Sequence, residues 1–262
     1  ISLGLVGSEM CIRDRYNQIG VPKTLGTAFI LFEKQLTPVE KQSAITVMEN
    51  AKFGMTGQNK VWLAGNVMMR ALLQNDYELV KMARDTIASE IVTGGAEGIK
   101  DDWCFHQHGA QQQFGNYGLS FVSGMSFFSG LFSGTSLAFD DKQLSILSTL
   151  IDKGYRWVIW KGMMDVNALG RQLFHHAPVH KALSLAFAAS ELGGGESDEC
   201  MTVATALLRD NYPAPAVNVF TGHRHFWQSD YTIHRRPSWM ASIKMASDRI
   251  IGTEMMNGCL LY

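Results

Sequence analysis

Charge of one sign, cysteine and long apolar runs are all scarce in this sequence, and each scarcity removes a class of protein. Lys and Arg number 23 against 24 Asp and Glu, so the formal net charge is −1. A nucleic-acid binder normally carries a strongly basic face, which this balance argues against. No stretch approaches the roughly 18 consecutive apolar residues of a membrane-spanning helix. Four cysteines in 262 residues are too few to show a disulfide framework or a redox compartment. What is present is a 46% hydrophobic share, enough for a substantial core, in a chain long enough for one large domain or two small ones. Gly, Met and aromatic residues are plentiful, and Gly with aromatics often lines carbohydrate clefts.

Both ends read as foreign to the fold. Residues 5–15 (LVGSEMCIRDR) resemble a translated sequencing-library adapter, and residues 259–262 (CLLY) resemble the opposite strand in another frame. Such segments are set aside in fold reasoning. Residues 1–15 and 259–262 are therefore expected to be non-native, and residues 16–258 an internal piece of a longer protein from environmental sequencing. On that reading a missing leader carries no meaning, and Cys104 and Cys200 are the only natural cysteines.

From residue 20 to about 210 the text reads as helices joined by Gly-rich loops. Thr37-Pro38-Val39-Glu40 is a capping box with Pro at the first helical position. Asn59 to Leu73 carries Val61, Trp62, Val67, Met68 and Leu72 on a plausible apolar face. Glu78 to Val92, Lys142 to Val158, Val179 to Leu192 and Glu199 to Arg209 follow, with Gly193-Gly194-Gly195 as a stop. After Tyr212-Pro213-Ala214-Pro215 the character changes. Val217 to Phe220, Tyr231 to His234 and Trp239 to Met245 are β-rich. In the last, Trp239, Ala241, Ile243 and Met245 alternate with Met240, Ser242 and Lys244, the period of a half-buried strand. The expected organisation is a helical domain over 16–212 and the start of a β-domain over 213–258. Periodicity leaves an α/α toroid and a bundle both open.

The densest polar stretch is GIKDDWCFHQHGAQQQFGNYG, residues 98–118. It has neither helical nor strand period, and a long ordered loop rich in His, Gln and Tyr is more often a site than a connection. Phe105-His106-Gln107-His108-Gly109 followed by Gly115-Asn116-Tyr117-Gly118 resembles the catalytic loop of polysaccharide lyase family 8. That family includes hyaluronate, chondroitin AC and xanthan lyases. The resemblance pairs His108 with Tyr117 nine positions later. It also aligns Thr56-Gly57-Gln58-Asn59 with the family's catalytic Asn, Gly170-Arg171 with its Arg, and Thr253-Glu254 with a Glu of its β-domain. Asn17 to Pro22 and His234 to Pro237 also look like family text. Where some members carry a second Arg, this chain has His175, which leaves the identity of the sugar open.

The resemblance implies a mainly α fold, an incomplete α/α toroid followed by the first strands of an antiparallel β-sandwich. It implies a secreted or periplasmic, monomeric lyase that cleaves uronic-acid polysaccharides by β-elimination, with no organic cofactor and no catalytic metal. The chemistry explains the residue types. The C5 proton beside a charged carboxylate is barely acidic, so Asn59, with His108, is expected to hold that carboxylate as enolate character develops. Tyr117 is the expected base and acid. Phenols ordinarily titrate near 10, so a cation such as Arg171 is needed close by. His108 is the alternative base for the opposite C5 configuration. Glu254 is expected to orient Arg171 or His108, and His106, Gln107, Asn116, His175 and Asn257 to line the sugar groove.

Other readings stand beside this one. His106 with His108, His175 with His176, and His223 with His225 raise a metal site, but none sits in a recognised zinc motif. Asp101-Asp102 raises a glycoside hydrolase on an α/α toroid, yet adjacent acids rarely flank a bond. They read rather as loop acids or helix caps. A non-catalytic carbohydrate-binding module is the third alternative. The tryptophans read mostly as core.

Overall fold

The computed structural model, which describes residues 15–192 and 221–252, is helical up to Leu192 and carries an antiparallel sheet beyond Thr221. The chain divides between Glu90 and Ile91 into two compact units. Among the described residues no helix is long and apolar enough to cross a membrane. The segments 199–209 and 217–220, read above as helix and strand, lie outside the described residues.

The first unit holds a π-turn at Tyr16–Gly20 and helices α1 (Val21–Leu31), α2 (Pro38–Met48), α3 (Gly57–Gln74) and α4 (Tyr77–Ala88). Thr37 caps α2 as its spacing predicts: its hydroxyl accepts from the Glu40 amide, and the Glu40 carboxylate accepts from the Thr37 amide. Asn75, in the left-handed region at φ 56°, ends α3. Asp76 then caps α4 by accepting from Leu79 N at 2.9 Å. An Asn-Asp pair is suited to such a hairpin, since Asn tolerates positive φ and Asp prefers the N-cap. Val61, Ala64, Val67, Met68 and Ala71 of α3 are buried, as are Val80, Ala83 and Ile87 of α4. The apolar face expected on α3 is therefore real except at Leu72, which is exposed while Leu73 is buried.

The second unit opens with a two-residue hairpin, β1 (Gly98–Ile99) with β2 (Phe105–His106). Helices α5 (Leu119–Phe132), α6 (Asp141–Leu150) and α7 (Ala177–Leu192) follow, with β3 (Ile159–Trp160) paired to β4 (Met163–Met164) before α7. The helix predicted over 142–158 stops at Leu150 and widens into a π-turn, Ile151–Tyr155. Within that turn Gly154 lies against the Trp103 carbonyl of a distant segment, where any Cβ would collide. The sequence reading did not single out α5 because its apolar residues lack helical contrast. Its lone buried hydroxyl, Ser126, donates to backbone carbonyls of α5 and α7.

The sheet is a meander of β5 (Gly222–Phe226), β6 (Tyr231–Arg235) and β7 (Met240–Lys244), with β6 central. The alternation predicted on β7 is present, with the faces opposite to simple expectation. Trp239, Ala241, Ile243 and Met245 are the exposed set, while Met240, Ser242 and Lys244 are half-buried. Ser242 explains this. Its hydroxyl accepts from Asn167 Nδ2 at 3.0 Å, so the polar set is the one turned toward the rest of the unit.

Candidate active site

The loop before α5 is held from both sides of His108 by one carboxylate. Glu97 accepts from the Gln107 side-chain amide and, at 2.9 Å, from Gly109 N. His108 itself takes a left-handed conformation, φ 63°, unusual for a residue with a Cβ. Such backbone strain persists only where the surroundings hold it and it collects at functional sites. The imidazole is exposed and meets the Tyr117 ring edge-on, with centroids 4.8 Å apart. Tyr117 lies in a single buried π-turn, Phe114–Gly118, that runs directly into α5. Turns of this kind recur at functional sites.

The two glycines of Gly115-Asn116-Tyr117-Gly118 are required by close backbone approach. A Cβ on Gly115 would stand 2.6 Å from Ala168 O, 2.7 Å from Leu169 O and 2.8 Å from Leu169 Cα. One on Gly118 would stand 2.9 Å from Gln113 O and from the Phe105 ring, and would run into the Tyr155 hydroxyl. The Tyr117 turn is thus pressed onto residues 168–169, just ahead of Arg171. Arg171 is half-buried and follows Gly170, which has φ 70°.

Beneath the loop, the sheet is tied on by buried polar groups. Asp102 accepts from Cys104 N at 3.0 Å and from Gln228 N at 2.7 Å. Asp102 is therefore a loop anchor, while Asp101 is exposed. His106 is 2% exposed and its Nε2 lies 2.9 Å from Ser229 Oγ. Tyr231 donates its hydroxyl to Asp165, Gln112 donates to the Asn167 carbonyl, and Ile251 N donates to the Ala110 carbonyl.

Burial, with the Lys100 ammonium adding to it, pushes the His106 imidazole down from 6.5 to about 4. The folded protein keeps the ring neutral, while the unfolded chain takes up a proton first as pH falls. The stability this residue contributes is complete above pH 6.5 and is lost as pH falls toward 4, on the order of 3 kcal/mol. Thermal melts between pH 7 and 4 should show that loss, and His106→Gln should flatten it. An unchanged acid slope in the variant would mean that other groups set it.

The structure brings His108 and Tyr117 together and places Asn116 in the same turn. Gln107, buried and bonded to Glu97, and His106, buried against Ser229, offer a sugar almost no surface. His175 is exposed, its ring 3.7 Å from that of His176. Asn59 belongs to the first unit, in the first turn of α3. That turn is anchored by Glu90, which accepts from Gly57 N at 2.8 Å and pairs with Lys60. The Asn59 side-chain oxygen is buried and has no hydrogen-bond partner among the described residues. Glu254 and Asn257 lie outside the described residues. No three His, Cys, Asp or Glu side chains converge to hold a metal ion among those described. Sequence reasoning missed Glu97, since a lone Glu before a glycine gives no pattern to read.

Comparison with known proteins follows the two parts of the chain. Residues 15–192 match the description "Polysaccharide lyase family 8, N terminal alpha-helical domain", and residues 221–262 match "Polysaccharide lyase family 8, super-sandwich domain". Chondroitinase-AC of Pedobacter heparinus is 27% identical over 250 residues, covering 92% of this chain and 35% of that protein. Hyaluronate lyase of Thermasporomyces composti is 26% identical over 279 residues, covering 92% and 36%. A solved chondroitinase AC lyase superposes with a TM-score of 0.79 at 25% identity, over 92% of this chain and 37% of that one. The chain thus spans about a third of the length of the relatives it matches.

Proposed function

Because this chain belongs to polysaccharide lyase family 8, we propose that it carries the reacting loop of an enzyme that cleaves acidic polysaccharides by β-elimination. The fold is the one expected, α/α toroid helices followed by antiparallel sandwich strands. The substrate is a uronate polymer of the chondroitin, hyaluronan or xanthan class. Such a polymer is too large to enter a cell, so the enzyme acts in secreted or periplasmic form.

The observation that carries the reading is the His108–Tyr117 pair: an exposed imidazole on a left-handed backbone position, set edge-on to a tyrosine in a buried turn. Tyr117 takes the C5 proton. The C4–O bond breaks, a C4=C5 double bond forms, and the leaving oxygen receives a proton from the same phenol. His108 hydrogen-bonds the uronate carboxylate, where negative charge builds during proton removal. Asn59 is assigned to carboxylate binding on the Thr56-Gly57-Gln58-Asn59 resemblance alone. Arg171 supplies positive charge for the anionic base. Glu254 orients Arg171 or His108, and Asn116, His175 and Asn257 contact neighbouring sugars. His106 and Gln107 act from beneath, through the shape of the loop.

The hydrolase alternative lacks its two opposed acids in this loop, since Asp102 is spent on backbone amides. A binding module has no need of an imidazole held on a left-handed backbone position beside a buried phenol. The test is ultraviolet absorbance of the unsaturated product, using the longest protein that carries this sequence on chondroitin, hyaluronan and xanthan. Absorbance rising on one polymer is the expected result. New reducing ends without absorbance would establish a hydrolase, and binding without cleavage would establish a module.

A further inference from the structure

Helix α7 buries an ammonium where its neighbours bury methyl groups. Ala182, Leu185, Ala186, Ala188 and Ala189 are buried apolar residues, and Lys181 among them is 4% exposed. Its Nζ donates to the Gly115 carbonyl, to Asn116 Oδ1 at 3.0 Å, to the Leu169 carbonyl at 3.0 Å and to Gln172 Oε1 at 3.0 Å. All four of these acceptors are uncharged. An ammonium in such a place costs desolvation that an apolar side chain of similar length would avoid, so stability alone does not account for it. What the four bonds have in common is their location. Two end on the residues immediately before Tyr117, and two end on the residues flanking Gly170-Arg171.

We propose that Lys181 is a positioning residue for the elimination reaction: its ammonium cross-links the turn that carries the base to the loop that carries the cation. The inference rests on the lyase reading above and adds to it a residue that touches no substrate. The close backbone packing of Gly115 on residues 168–169 sets the distance between the two segments, and Lys181 sets their register. A lysine reaches a shared centre of four oxygens as a point charge with three rotatable donors, a task that the planar fork of arginine fits poorly. Losing the cross-link lets Tyr117 and Arg171 drift relative to each other. A misplacement of about 1 Å in a reacting constellation costs on the order of 100-fold in rate.

The test is Lys181→Met in the longest protein that carries this sequence, with kcat and KM followed by unsaturated product well below Tm. A kcat lowered by roughly 10- to 100-fold, with KM within about threefold, is expected. A lysine that merely supported the fold would lower Tm and leave kcat of the folded enzyme alone. Should Lys181→Met fail to fold, Gln172→Leu decides, because Gln172 is exposed and its loss removes one strand of the cross-link. It should lower kcat in the same sense by a few-fold. Wild-type kcat in the folded variants would overturn the inference and leave the lyase reading standing. A wild-type protein that makes no unsaturated product on any uronate polymer would overturn the lyase reading itself.

Discussion

Tyr117→Phe should lower kcat by about 10²- to 10⁴-fold while leaving KM and Tm nearly unchanged, the range that a positioned general base contributes. The structure makes this a clean substitution. Tyr117 is 5% exposed, and its ring packs edge-on against His108 and within the Phe114–Gly118 turn, contacts that a phenyl ring keeps. Only the hydroxyl is removed, so the ring packing stays while the proton-transferring group is lost. A thousandfold fall in kcat corresponds to about 4 kcal/mol of transition-state stabilisation. The measurement is initial rate of unsaturated product over a substrate series, with a melt beside it. If the variant keeps its rate, the base is elsewhere. His108 is then the residue to replace, being the one other titratable group that the ring pair places there.

Gly115→Ala is expected to be strongly damaging. Its Cβ would lie under 3.0 Å from three backbone atoms of Ala168 and Leu169, none of which can swing away as a side chain would. Overpacking of a rigid contact costs about 1–3 kcal/mol. For a chain of this size that is a fall in Tm of roughly 2–12 °C. Activity should fall further than stability accounts for, because the relief available is to push the Tyr117 turn off the Arg171 loop. Gly54→Ala provides the control: nothing lies within 4 Å of its Cβ, and its effect should stay within about 0.5 kcal/mol. Equal Tm values for the two variants would show that the turn yields without cost.

The sequence displayed some of this arrangement and concealed the rest, for physical reasons that differ by residue. The Thr37 capping box was legible because both partners are local, three residues apart. The helix over α3 was legible from its apolar period. The early end of α6 was not: the turn that replaces it packs Gly154 on the Trp103 carbonyl, a contact between distant segments. On β7 the period was legible but the buried face was not, because a hydrogen bond from Asn167 turns the polar set inward. The same divide runs through the site. Residues whose types announce chemistry, His108 and Tyr117, stand out in a loop without period. Those that hold the loop, Glu97 and Lys181, act through bonds to backbone and amide groups that no local pattern records. His106 and Gln107 have the look of site residues, yet their side chains are buried beneath the loop.

Bond cleavage by β-elimination consumes no water. The most direct measurement is cleavage of a uronate polymer in oxygen-18 water, using the longest protein that carries this sequence, with both new ends read by mass spectrometry. Elimination predicts that the uronate end is lighter by one water than its hydrolytic counterpart, and that neither end carries oxygen-18 when products are trapped before the new hemiacetal exchanges its anomeric oxygen with solvent. Oxygen-18 at the cleaved position would contradict the account.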